Sequence, residues 1–183
     1  MMTLTLKSIK TPSLPIPGAD PWYAHSTDPA LSVMTDFRER SSVLVSENAT
    51  IDAALDHMKH TGVRCAFAID DERRVVVGLI TAYDIASEKP MRHMLSMASK
   101  RGEVLVKDIM LPPVEWHSAD IKDIERLTVA AVARAFDESQ LTHIPVVEKS
   151  EKGDVRLRGL LSAARIRRLL SREVGPRSAV GAA

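Results

Sequence analysis

Val77-Gly78-Leu79-Ile80-Thr81-Ala82-Tyr83-Asp84-Ile85 closes the first half of the chain, and Arg158-Gly159-Leu160-Leu161-Ser162-Ala163-Ala164-Arg165-Ile166 closes the second. The glycine, the apolar pair, the hydroxyl, the alanine and the final isoleucine all return. One charge is exchanged: where the first copy has Asp84, the second has Arg165. In each copy an apolar, strand-like run stops at a hydroxyl, and a helix is expected to start there.

Outward from this motif, everything before it repeats as well. Ile51, Ala54, Leu55 and Met58 fall at helical spacing, and Val129, Val132, Ala133 and Phe136 fall at the same offsets. Each of these helices opens on a threonine, Thr50 or Thr128, a residue suited to the N-cap. Each is followed by a strand-like run, Val63–Asp70 and then Leu141–Glu148. Polar turns follow, Asp71-Glu72-Arg73-Arg74 and Lys149–Asp154, before the closing strand and helix. The first strands are expected at Ser42-Val43-Leu44-Val45 and Pro113-Val114-Glu115-Trp116. Copy two carries additional residues before its first helix, within Ser118–Glu125. A whole βαββα unit recurring in fixed order is far less easily produced by chance than one short motif.

The rest of the chain divides around these units. Residues 1–30 carry Pro12, Pro15, Pro17, Pro21 and Pro29, which suits an extended arm or plain disorder. A short strand at Thr3–Leu6 and pinning by Trp22 and Tyr23 are compatible with the arm. Repeat 1 is expected over 31–87, a connecting helix within 88–105, repeat 2 over 106–171, and a flexible tail over 172–183. In the connecting helix Met91, Met94, Leu95 and Ala98 form an apolar stripe, expected to pack on the body with methionine as gap-filler.

Bulk properties narrow the class. The chain has 183 residues, 45% hydrophobic but only 4% aromatic, so aliphatic side chains must fill the interior. A net charge of +1 argues against a generic polyanion binder. The single cysteine, Cys65, excludes an internal disulfide and suits a reducing cytosol. No apolar run approaches membrane-spanning length, and the N-terminus has no continuous apolar core of a signal peptide. A cytoplasmic protein is expected.

Taken together, the chain resembles a tandem pair of cystathionine β-synthase domains, the CBS pair or Bateman module. The resemblance rests on Val33-Met34-Thr35-Asp36 before copy one, Lys107-Asp108-Ile109-Met110 before copy two, the threonine-capped helices and the two closing motifs. It implies an α+β fold of two βαββα subdomains related by a pseudo-twofold axis, with two clefts between them. In many relatives such clefts bind adenosine-containing ligands. The modules often pair as flat homodimers and regulate an attached or separate protein.

Carried onto this sequence, the resemblance implies a site in copy one. Asp84 matches the position of a ribose-binding aspartate, because one carboxylate can accept from both sugar hydroxyls. Thr81, at the helix N-terminus, meets phosphate or sugar. Arg64 matches a position that is often basic and suits phosphate. Val43, Leu44, Val63 and Leu79 match the walls around the base. Gly62–Asp70 and Gly78–Ile85 are similar to repeats in the γ subunit of AMP-activated protein kinase. Each residue also has a plainer reading. The helix dipole favours an acid at Asp84 without any ligand, Thr81 is a natural N-cap, and Arg64 can form a surface ion pair.

Copy two departs from the pattern. Arg165 has donors only and cannot accept from a sugar diol. Ser162 matches Thr81, Thr142 stands in the place of Arg64 with His143 beside it, and Glu115 stands in the place of Leu44. Arg165 either reaches phosphates of a ligand in the neighbouring cleft or forms an ion pair, for instance with Glu115.

Other signals are weaker. His57 and His60 suit a solvated helix face better than a metal site. Cys65 is expected to be buried and inert. The basic segment Arg165–Arg172 suits a helix C-terminus, and nucleic acid is an improbable partner. No catalytic constellation is visible, so no enzyme, metal or required cofactor is expected. The expected function is a stand-alone regulatory module that senses AMP, ADP, ATP or S-adenosylmethionine and signals to an effector protein. The alternative is a ligand-free scaffold for dimerisation.

Overall fold

The computed structural model describes residues 23–150 and 153–171. Most of the expected arm (residues 1–22, with the strand at Thr3–Leu6 and Trp22) and the expected tail 172–183 lie outside the described residues.

Two similar units build the fold. After the lead-in strand β1 (Thr35–Asp36), the first contains β2 (Leu44–Ser46), α1 (Ile51–Thr61), β3 (Cys65–Ile69), β4 (Val76–Thr81) and α2 (Ala82–Ala86). The connecting region holds α3 (Lys89–Met97) and α4 (Val106–Ile109). The second unit has β5 (Ala119–Asp120), α5 (Ile121–Ile124), α6 (Val129–Ser139), β6 (His143–Lys149), β7 (Val155–Ser162) and α7 (Ala163–Leu170). Thr50 and Thr128 both cap their helices, accepting from the amides of Ala53 at 3.2 Å and Ala131 at 3.3 Å. Their buried faces are Ile51, Ala54 and Met58 in α1, and Val129, Val132 and Phe136 in α6.

One sheet has the order β2-β3-β4 and the other β1-β7-β6-β5. In both, a parallel pair (β2 with β3, β5 with β6) is followed by an antiparallel hairpin, and both hairpins shift register, between Ala68 and Ile69 and between Val146 and Val147. Matching irregularities at matching places show that the repeat extends to the backbone.

The segments that lead into each repeat cross over. β1, before repeat 1, pairs antiparallel with β7 of repeat 2. Leu111, before repeat 2, bridges to Leu79 of repeat 1 through reciprocal amide–carbonyl bonds of 2.9 and 2.8 Å. The cores follow the same exchange. Ala24, Ala30, Val33 and Met34 are buried among the helices of repeat 2, and Val104, Val106 and Ile109 among those of repeat 1. A third cluster, with Cys65, Phe67 and Leu79 flanked by Phe37, Trp116, Leu157 and Leu160, fills the space between the sheets.

This crossing explains the repeated glycine. A Cβ on Gly159 would lie 2.7 Å from the carbonyl oxygen of Thr35 and 2.8 Å from Met34 Sδ. A Cβ on Gly78 would run into the side chain of Met110. Only a residue without a side chain lets the incoming segment lie so close.

Three expectations are corrected. The first strand of copy two is not at Pro113–Trp116. Pro113–Glu115 form a 3-10 turn, and the strand is β5, within the additional residues before α6. Pro112 and Pro113 have no amide hydrogen and hold φ near −65°, so this stretch cannot run as a ladder. Glu115 is therefore exposed in that turn rather than placed as Leu44 is. In α3, Pro90 is buried and Met94 packs on the core of repeat 1, whereas Met91 is 53% and Leu95 79% exposed. Those two side chains sit about 100° round the helix from Pro90 and Met94. Tyr23 is exposed, and the end of the arm is held instead by Ala24, whose amide donates to the Leu169 carbonyl at 3.2 Å.

Candidate functional site

The hairpins place the strand starts and the closing helices side by side. Cys65 is the register partner of Thr81, and His143 that of Ser162. The amides of Ala82 and Ala163 donate to the carbonyls of Arg64 and Thr142 at 2.9 and 3.0 Å, so each closing helix starts from the strand beside it.

A cavity of about 540 Å³ opens between the repeats. From repeat 1 it takes Val43, Val63 and Arg64, with Ser42, Gly62, Cys65 and Phe67. From repeat 2 it takes His143, Leu160, Ser162, Ala164, Arg165 and Arg168. The lead-in residues Thr35 and Phe37, with Ser41, also line it. The site residues expected from the sequence thus separate. Val43, Val63, Arg64, His143, Ser162 and Arg165 meet in one cavity, so the two groups expected in different clefts share a wall. Leu44, Leu79, Thr81 and Asp84 are not among its lining. Leu44 is 40% exposed, and Leu79 is buried between the sheets. Arg168, which the sequence reading passed over as part of a basic helix end, lies one turn beyond Arg165 and on the same face.

The two closing helices begin differently. Asp84 Oδ2 accepts from the Thr81 amide at 2.9 Å and from the Thr81 hydroxyl at 2.6 Å. The Thr81 oxygen in turn accepts from the Asp84 amide at 3.1 Å, which completes a capping box. The other carboxylate oxygen, Oδ1, meets Lys89 Nζ at 2.6 Å. Both oxygens of the expected ribose acid are thus engaged, one by its own helix start and the other by Lys89 of α3. At α7, the N-cap Ser162 makes no side-chain capping bond, and Arg165 in the place of Asp84 has no oxygen with which to reach back. Arg165 Nε instead donates to the Val33 carbonyl at 3.2 Å, and its side chain borders the cavity.

The electrostatics of the cavity follow from this arrangement. Burial, opposed in part by the Asp84 carboxylate, pushes the His143 imidazole down to about 4, so it is neutral near pH 7. Burial, with the same carboxylate adding to it, pushes the Cys65 thiol up to about 12. A thiol held neutral is a poor nucleophile. Arg64 is exposed, with Nη1 at 3.3 Å from the Tyr83 hydroxyl. Among the described residues that line the cavity, Arg64, Arg165 and Arg168 are cationic. Among the described residues no group of three or more His, Cys, Asp or Glu could hold a metal ion, and no helix is long and apolar enough to cross a membrane. His57 and His60 lie on the exposed face of α1.

Two βαββα units with crossed lead-ins and a ligand-sized opening between them define a paired-repeat module. A family model of the CBS domain matches residues 20–90 and 106–172, and the chain belongs to that family. No curated protein matches the chain. Among solved structures it is similar to the Arabidopsis thaliana CBS-pair protein CBSX2, crystallised in complex with AMP. The identity is 22%, the match covers 77% of this chain and 94% of that one, and the TM-score is 0.53. It is similar to a conserved Pyrococcus horikoshii protein at 20% identity, covering 83% and 98%, with a TM-score of 0.55. A CBS-domain-containing protein from Agrobacterium tumefaciens matches at 16% identity, covering 79% and 93%, with a TM-score of 0.54. At these identities the likeness is one of fold.

Proposed function

We propose that the protein is a regulatory module that binds an adenosine-containing ligand, AMP, ADP, ATP or S-adenosylmethionine, in the cavity between its repeats. The observation that carries this reading is the cavity of about 540 Å³ walled by both repeats, each of which gives it apolar side chains and at least one arginine. Val43 and Val63 pack the base, Arg64 meets phosphate, and the neutral His143 ring offers a donor and an acceptor to base or sugar. The AMP complex of the Arabidopsis relative supports the ligand class. No chemistry is assigned to the protein. Its output is the relative placement of the repeats, read by an effector protein, and the ligand shifts that placement only by its differential affinity for the two arrangements. The working assembly is a cytoplasmic homodimer, for which Met91 and Leu95, exposed one turn apart on α3, offer an apolar contact.

Thermal-shift titration with the four adenosine compounds tests the reading, since a ligand of the native state raises its stability by mass action. A rise in Tm with at least one of them is expected. A second reading, a ligand-free scaffold, is favoured by the closed Thr81–Asp84–Lys89 arrangement, which removes the expected ribose acceptor. A flat response to the whole panel selects the scaffold.

A further inference from the structure

We propose that the proline-rich segment Leu14-Pro15-Ile16-Pro17 docks as a strap in an apolar groove of repeat 1, which it reaches along α7 of repeat 2.

The groove lies between α1 and α2 and has a volume of about 500 Å³. Leu55, Met58, Val63, Ala82, Tyr83 and Ala86 make most of its wall. Tyr83 is 47% exposed and Ala86 is exposed too, so apolar surface of this wall meets water. Apolar surface gathered in a groove marks a place where a chain can dock. Two smaller cavities lead to it. The nearer, of about 240 Å³, shares Arg64 and Tyr83 with the groove. The farther, of about 210 Å³ between α6 and α7, shares Ala163 and Arg167 with the nearer one and extends to Leu170. The three form one run from the end of α7 to repeat 1.

The described chain begins where that run ends. The Ala24 amide is bonded to the Leu169 carbonyl, beside Leu170, and residues 1–22 precede this anchor. In the extended polyproline form the chain from Ala24 back to Ile16 reaches about 25 Å. The course along α7 from Leu170 to Ala163 uses about 10 Å of it. The remainder crosses the nearer cavity to Tyr83. Composition fits as well. Leu14 and Ile16 bring apolar side chains, and Pro15 and Pro17 have no amide hydrogen. An apolar wall offers few acceptors, so a segment with few donors is buried there at small cost. Proline-rich segments also pack well on an aromatic ring such as that of Tyr83. The C-terminal residues start from the same end of α7, but Arg172, Glu173 and Arg177 would carry charge onto that wall. Docked, the strap ties α7 to repeat 1 and withholds the groove from other chains, whatever the inter-repeat cavity holds.

Disulfide trapping in the full chain tests the strap. Ile16→Cys is paired with Lys59→Cys or Ala86→Cys, two exposed positions in the groove lining, and with Lys122→Cys, an exposed position outside it. Cys65 is buried and does not compete. Both groove pairs should close as single-chain products about tenfold or more faster than the Lys122 pair. Adding Leu14→Asp, which sets a charge against the apolar wall, should slow them to the Lys122 rate. Equal rates at all three positions would overturn the proposal, as would rates that Leu14→Asp leaves unchanged. Products of two-chain size would give the groove to the arm of a second copy and overturn the strap within one chain. Capture of Pro176→Cys in place of Ile16→Cys would make the tail the occupant and overturn it equally.

Discussion

Two helices that open on nearly the same words, Thr81-Ala82-Tyr83-Asp84 and Ser162-Ala163-Ala164-Arg165, are finished in opposite ways. In the first the fourth residue turns back and closes the helix end with three hydrogen bonds. In the second the fourth residue has nothing to accept with, and its guanidinium lies along the inter-repeat opening. The same frame thus gives a sealed corner in one repeat and a cationic one in the other. A duplicated fold keeps its glycine because packing demands it, and a charged position is free to change role once the second copy carries the fold too.

The largest effect should come from the glycines. Gly159→Ala sets a methyl group against the Thr35 backbone, which cannot give way without breaking the β1–β7 pairing. A loss of about 3 kcal/mol is expected in denaturant unfolding. Gly78→Ala meets only the flexible Met110 side chain and should cost about 1 kcal/mol. Equal losses would mean that the two crossings are equally rigid.

Next in size is a pH effect carried by His143, the register counterpart of Cys65. Its folded-state value of about 4 lies below the ordinary 6.5. The unfolded chain therefore binds more protons between those values. Stability is full above pH 6.5 and falls as pH drops toward 4, by about 2 kcal/mol once partial exposure is allowed for. The ring shares its cavity with Arg64, Arg165 and Arg168, and Asp84 is the carboxylate that opposes the shift. Melting curves of the parent and of His143→Gln across this range should diverge, with the variant flatter. Parallel curves would assign the slope to other groups.

The caps follow. Asp84→Ala removes the capping box and the Lys89 ion pair and should cost about 1.5 kcal/mol. Ser162→Ala, at the end with no side-chain cap, should stay within about 0.5 kcal/mol of the parent. Similar losses at both sites would erase the difference between the helix starts.

The smallest effect lies at the far ends of α1 and α6. Both stop on a left-handed residue, Gly62 with φ 70° and Gln140 with φ 58°. A side chain is strained there, and Gln140→Gly should gain about 0.5 kcal/mol in chemical unfolding. A loss instead would show that the bond from the Gln140 amide side chain to the Asp137 carbonyl outweighs the backbone strain.

Much of the fold was legible because its signals are local. Threonine caps, helical spacing and the closing motif each occupy a few consecutive residues, and their recurrence fixed the two-repeat plan. The crossed lead-ins were not legible, since pairing between Thr35 and Leu160 leaves no periodic trace in either segment. The first strand of copy two was misplaced because Val114 and Trp116 resemble a strand in composition, while the proline pair before them dictates a turn. Of the residues expected at the site, Val43, Val63, Arg64, His143, Ser162 and Arg165 line the cavity, and Leu44, Leu79, Thr81 and Asp84 do not. Arg165 was placed in the second cleft, with reach into the first as one of two readings, and the cavity is lined by Arg64 of repeat 1 and by Arg165 of repeat 2. The engagement of Asp84 depends on Lys89 folding back from the next helix, a side-chain choice that spacing alone does not reveal.

Because Met34 and Thr35 complete the far repeat, and Ile109 and Leu111 the near one, the two halves interlock like clasped hands. Neither can loosen without pulling a strand or a core residue out of its neighbour. Heating should therefore melt the molecule in one step, and whatever fills the opening between the halves braces the entire chain.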